Sequence, residues 1–206
     1  MKNTAPEPDF MKRKLLTLLA SVPMFTACSA NSGNFSTDSE DVRLRKKFRG
    51  IYGLVLRIDA TSPKHGVIIS NDTGRVIDTP SILAPKGGGS LAYTDNSMPV
   101  PKAIRATWRV GKFEQKAGGG GWVGGTIIGD YTVPVAERIP DSILDYIREN
   151  GGTLRLKVRL MDDGVLIGWD VERRIHKGSW CIKSSGETCF QIEYFIPGGD
   201  LLETKY

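Results

Sequence analysis

Few residues in this chain have the types and spacing that chemistry needs. There are two histidines, His65 and His176, and neither has a sequence-local partner. His65 lies in the turn-like run Ser62-Pro63-Lys64-His65-Gly66, and His176 sits among Arg173, Arg174 and Lys177. Asp162 and Asp163 are adjacent carboxylates, the residue type of an acid/base pair, but neighbours on a turn read more simply as solvated turn formers. Cys181 and Cys189 lack the spaced His pair that a zinc site would need. No nucleophile elbow, phosphate-binding loop or zincin helix motif occurs. Gly118–Gly121, followed by Trp122-Val123-Gly124-Gly125, lacks the Lys-Ser/Thr ending of a phosphate loop, and in Gly87–Gly89 the lysine, Lys86, precedes the glycines. The sequence therefore assigns no catalytic residue, no metal site and no cofactor.

Two features could bind a partner. Trp122 among so many glycines is either an aromatic anchor for another protein or a plug folded back under its loop. Arg155, Lys157 and Arg159 alternate along one strand and form a positive stripe. That stripe could meet an acidic partner surface or anionic lipid heads, or simply face solvent.

The N-terminus sets the address. Lys12-Arg13-Lys14 precedes a mostly apolar run from Leu15 to Phe25, and then Phe25-Thr26-Ala27-Cys28. Eleven residues at about 1.5 Å each cannot cross a hydrocarbon core of about 30 Å. The segment resembles a bacterial lipoprotein signal with its lipobox, with Phe25 at the usually aliphatic first position. The resemblance implies acylation of Cys28 and removal of residues 1–27. An ordinary secretory signal cleaved nearby is the other reading. Residues 1–10 carry Glu7, Asp9 and two prolines, so translation starting at Met11 would give the cleaner signal. Ser29 after the cysteine is similar to the outer-membrane sorting pattern of enteric lipoproteins, which places the domain in the periplasm, anchored to the outer membrane. In that oxidising compartment Cys181 and Cys189 read as a disulfide closing a small loop.

The whole chain has 206 residues, 40% hydrophobic and 25% charged, with a net charge of +5. That suits one globular domain and excludes a disordered tail, a fibre or a multi-span membrane protein. Losing residues 1–27 removes four basic and two acidic residues, leaving 24 Lys and Arg against 21 Asp and Glu, a net +3. Nucleic-acid binding is disfavoured by so weak an excess. Polar residues to 42 read as a flexible tether, and residues 43–206 as a single β-rich domain.

Alternating patterns place strands at Tyr52–Ile58, Ile104–Val110 and Phe190–Ile196, a run rich in β-formers places another at Thr126–Val133, and Asn71-Asp72-Thr73-Gly74 gives a hairpin signal. Thr153 to Arg173 reads as a hairpin whose four-residue turn pairs Leu160 with Val165, Leu156 with Trp169 and Arg155 with Asp170. One helix is expected, with Ile139, Ile143, Leu144 and Ile147 on one stripe and Gly151 or Gly152 ending it. The expected fold is mainly β, an antiparallel β-sandwich or barrel with one short helix.

This layout resembles a group of small Gram-negative lipoproteins of unknown-function type. The shared features are Cys28 ahead of an early strand at Gly50–Ile58, Gly87–Gly89, Trp108-Arg109, Ile139-Pro140 leading a helix, Leu154–Leu160, and Asp163-Gly164-Val165-Leu166-Ile167-Gly168-Trp169. Ser90-Leu91 stand where some relatives carry paired cysteines. The resemblance implies a periplasmic immunity protein that neutralises a phospholipase effector of type VI secretion, and it offers no catalytic residues. An outer-membrane structural or assembly lipoprotein is the alternative.

Overall fold

The computed structural model describes residues 37–85, 89–93, 98–176 and 190–203. The signal segment, Cys28, Cys181 and Cys189 lie outside the described residues. In chain order the elements are α1 Thr37–Lys47, β1 Leu54–Ala60, β2 Lys64–Asn71, β3 Val76–Asp78, β4 Ile82–Leu83, β5 Ser90–Tyr93, β6 Ala103–Gln115, β7 Trp122–Pro134, α2 Asp141–Asn150, β8 Thr153–Leu160, β9 Val165–His176 and β10 Phe190–Gly199. Among the described residues, ten strands form two sheets, one ordered β10-β9-β8-β1-β5 and the other β3-β2-β6-β7 with β4 beside β2. Neither sheet closes on itself among the described residues, so the fold is sandwich-like rather than a barrel.

Alternation explains the core. Leu54, Leu56 and Ile58 of β1, Leu154, Leu156 and Leu160 of β8, and Ile167 and Val171 of β9 are buried together with Val67, Ile69, Ile104 and Trp108 of the other sheet. Ile143, Leu144 and Ile147 bring α2 into the same cluster, as their helical spacing requires. Gly151 ends α2 with φ +72°, and its N–H bonds the Ile147 carbonyl at 2.8 Å. The β8–β9 register is the expected one, with Leu160 opposite Val165, Leu156 opposite Trp169 and Arg155 opposite Asp170. The turn after β2 also forms, with Asn71 Oδ1 accepting from the Thr73 and Arg75 N–H groups.

Three expectations are corrected. The sheets are not wholly antiparallel, because β1 and β8 pair in parallel from Leu54 opposite Leu154 to Ala60 opposite Leu160. A second helix, α1, takes up residues 37–42 that polarity assigned to the tether. Tyr52 lies outside β1 and is 69% exposed, because Gly53, at φ +80°, turns the chain just before the strand begins.

α1 has little apolar surface of its own, and its docking is largely ionic. Leu44 is buried and Phe48 packs against the core. Arg43 pairs with Glu137, Asp41 with Lys102, and Lys47 Nζ donates to the Ala136 carbonyl at 2.9 Å.

Candidate functional site

The basic stripe of β8 is the first surprise. Arg155, Lys157 and Arg159 do occupy the face opposite the apolar core, but that face is not open to a partner. Lys157 and Asp170 are both 0% exposed and Arg155 is 4% exposed. Arg155 donates to both oxygens of Asp170 at 2.7 Å, and Lys157 Nζ lies 3.3 Å from Asp170 Oδ2. Arg159 forks onto Asp59 of β1, at 2.9 and 2.8 Å. The Tyr194 ring of β10 lies over the Arg155 guanidinium, 3.7 Å from its centroid. The reading of these three cations as a partner-binding stripe is therefore corrected for Arg155 and Lys157, which are buried. Arg159, 20% exposed at its side chain, is engaged by Asp59.

The cover is the segment after β10. Leu201 is buried against Gly168, where an added Cβ would come within 2.7 Å of it. Lys157 Nζ donates to the Leu201 and Glu203 carbonyls at 2.6 and 2.9 Å, so the buried ammonium holds down the segment that buries it. Burial lowers the Lys157 pKa against the opposing pull of Asp170. On Arg155 burial acts the same way, but the Asp170 hydrogen bonds and charge outweigh it and raise the pKa.

Asp200 pins the near end of this cover. Its backbone N–H bonds the Ile167 carbonyl at 2.8 Å, Ile167 N–H returns a bond to Oδ2 at 3.0 Å, and Arg138 donates to Oδ1 at 2.7 Å. The Arg138 hydrogen bond, opposed by burial, holds the Asp200 carboxyl below its ordinary value of 3.8. A carboxyl depressed in the fold stabilises above its unfolded pKa and loses that contribution as pH falls through its folded pKa. Urea titrations of wild type and Asp200→Asn should therefore differ at neutral pH and converge as pH drops below 3.8. A constant gap across that range would refute the assignment.

Trp122 opens β7 and belongs to a different surface. β6 and β7 form a long hairpin, and it does not run straight. Register shifts fall between Trp108 and Arg109 and between Val110 and Phe113. Gly111, Gly124 and Gly125 there have φ of +85°, +78° and +63°, so the expected glycine loop is partly strand with bulges. The bent ribbon folds its end back over β2. The Phe113 ring lies against Gly66, and Gly121, at φ +116°, lies against Ile68, where added Cβ atoms would come within 3.1 and 2.9 Å. Trp122 packs edge-on against Phe113 at 5.5 Å and is half-buried. Its indole Nε1 is buried without a hydrogen-bond partner among the described residues.

The outer part of this ribbon is apolar and exposed. Val110, Val123, Ile127 and Ile128 are between 41% and 55% exposed. Pattern reading missed them as a surface because each looks like an ordinary core strand residue. The signal was the adjacent pair Ile127-Ile128, which strict alternation cannot bury on one face. Beside them Arg105 forks onto Asp130 at 2.7 and 2.6 Å. Arg109 Nη1 donates to the Gly124 carbonyl at 2.6 Å.

The remaining candidates separate. His65 lies on β2 opposite Arg109, not in a turn, and is exposed. Asp162 sits on the β8–β9 turn and binds the Ser62 hydroxyl and the buried Lys64, so it ties two loops together. The Lys64 hydrogen bond comes first among the causes that lower the Asp162 pKa. Among the described residues, no group of His, Cys, Asp and Glu is arranged to hold a metal ion. No helix among them is long and apolar enough to cross a membrane. No protein-family model, curated protein or solved structure matches the chain.

Proposed function

We propose that this chain is a lipid-anchored binding protein of the bacterial periplasm. In this reading it neutralises a phospholipase effector of type VI secretion by docking it on the β6–β7 ribbon. The observation that carries the binding reading is the exposed apolar ribbon: Val110, Val123, Ile127 and Ile128 lie on one bent hairpin, with Trp122 and Phe113 at its root. Exposed apolar side chains concentrated on one hairpin are the kind of surface that interaction sites are built from. Trp122, packed edge-on against Phe113 and partly exposed, adds an aromatic side chain of the kind that dominates interface energies. The lipobox-like run ending at Cys28 supports the address, and the resemblance described above supports the toxin.

The test is stoichiometric inhibition. A purified periplasm-acting phospholipase effector from the same genome should lose its lipid-hydrolysing activity at equal molar ratio with residues 29–206. Trp122→Ala should weaken the complex by about 30-fold or more. Its thermal unfolding temperature should also fall, because Trp122 packs on Phe113, so binding is compared at a temperature where both proteins are folded. Full activity of the effector at saturating protein would remove the immunity reading and favour the structural or assembly lipoprotein. Equal binding by Trp122→Ala would remove the ribbon as the site.

A further inference from the structure

We infer that the outward face of α1 and the turn after it form a docking surface for an anionic phospholipid bilayer. Charge along this helix is segregated. Glu40 and Asp41 lie in its first half, and Arg43, Arg45, Lys46 and Lys47 follow, with Arg49 just beyond. The acidic residues and two of the cations are used internally. Asp41 and Glu40 face Lys102, Arg43 faces Glu137, and Lys47 bonds the Ala136 carbonyl. Arg45, Lys46 and Arg49 are exposed and make no ion pair or side-chain hydrogen bond among the described residues, although Asp41 lies within electrostatic reach of Arg45.

These three fall with Val42 at the i, i+3, i+4, i+7 spacing of one helical face, while Leu44 and Phe48 take the inward face. Val42 is 63% and Tyr52 69% exposed, so the cations sit among apolar and aromatic groups that water solvates poorly. Arg45 and Tyr52 line the same cavity of about 270 Å³, whose walls are Phe48, Met98, Pro99 and Val100. Cations for headgroups, with a tyrosine and a valine to enter the interface, are what a peripheral membrane surface requires.

The covalent reach points the same way, and this part rests on the proposed lipid anchor. Nine peptide steps join Cys28 to Thr37, the first residue of α1. At about 3.5 Å per residue their span cannot exceed about 30 Å. An acylated Cys28 therefore keeps α1 within that distance of the bilayer whatever path the chain takes.

Flotation with lipid vesicles tests the surface without the anchor. The probe protein is residues 28–206 with Cys28→Ser, which keeps every described residue and cannot be acylated. It should float with vesicles of about one-third phosphatidylglycerol in phosphatidylcholine, and not with phosphatidylcholine alone. Binding should fade as salt approaches about 0.5 M. The double variant Arg45→Glu, Lys46→Glu should reduce binding by about tenfold or more. The control double variant Lys112→Glu, Lys116→Glu makes the same change in net charge on the β6–β7 hairpin and should change binding less than about twofold. Equal binding to both vesicle types, or equal loss in both double variants, would overturn the inference. In either case an acidic protein surface would become the occupant to seek. The anchor itself is read separately, from the mass of the N-terminal peptide of the membrane-extracted protein, so failure of one reading is distinguishable from failure of the other.

Discussion

Replacing Asp170 with alanine should destabilise the fold by about 3–5 kcal/mol, a large share of the roughly 5–15 kcal/mol that holds a domain of this size. Asp170 is the carboxylate that both Arg155 and Lys157 face, and none of the three side chains reaches solvent appreciably. Removing it leaves two cations together in a region of low dielectric. Arg155 keeps the Tyr194 ring, and Lys157 keeps two carbonyls, but the carboxylate that both cations share is gone. Urea unfolding would read the loss directly. The informative companion is the triple replacement Arg155→Met, Lys157→Met, Asp170→Leu, which removes the charges together. It should lie within about 2 kcal/mol of wild type, because the interior attraction of such a cluster does little more than offset its desolvation. If the triple variant were as damaged as Asp170→Ala, the packing of the cover, and not its electrostatics, would be the stabilising element.

Lys157 adds a pH signature. Its folded pKa lies below the unfolded value of 10.5, first because of burial. Between the two values the unfolded chain binds more protons than the folded one, so stability rises with pH through that window. Lys157→Met should lack the rise. Unfolding curves of the two proteins that ran parallel up to pH 10.5 would contradict the assignment.

Gly129→Ala should be nearly as damaging, by about 3 kcal/mol or more. An alanine Cβ there would come within 2.0 Å of Trp108 Cε2 and 2.1 Å of Cζ2. The Trp108 ring lies over the glycine, is 2% exposed, and stacks with Tyr131 at 5.4 Å. Neither neighbour can yield without opening the core of the β6 sheet. Calorimetry on Gly129→Ala, Trp108→Leu and the double variant forms a cycle. The double variant should recover a large part of the alanine's effect, giving a coupling of about 1–3 kcal/mol. Simple additivity of the two single effects would show that the damage comes from elsewhere in the strand.

Much of the architecture could be read from alternation. The β8–β9 register followed from a four-residue turn joining two strongly patterned runs, because a one-residue slip would have exposed Leu154, Leu156 and Leu160. The same alternation could say that Arg155, Lys157 and Arg159 share a face, but not whether that face meets water. Leu201, forty-four residues after Lys157, decides that, and no local pattern announces it. α1 was illegible for a different reason. Its only inward apolar residues are Leu44 and, just past its end, Phe48, and its helix is held by ion pairs to Lys102 and Glu137 far along the chain. The Trp122 site was half legible. The tryptophan and its glycines stood out, whereas the bend that exposes Ile127 and Ile128 depends on bulges at Gly124 and Gly125 that read as loop.

The parallel pairing of β1 with β8 has a consequence for how the chain is made. Asp59 and its partner Arg159 are one hundred residues apart. At about 5–20 residues per second, the ribosome delivers β8 some 5–20 s after β1. During that interval β1 can pair with β5 on one side, but the edge that β8 takes stays open. Such a strand is a natural client for a holdase chaperone, and contacts this distant in sequence close slowly. For a chain proposed to cross a membrane, that delay is an asset: the sheet cannot lock before the last third of the protein has been synthesised, and the polypeptide stays threadable until export is under way.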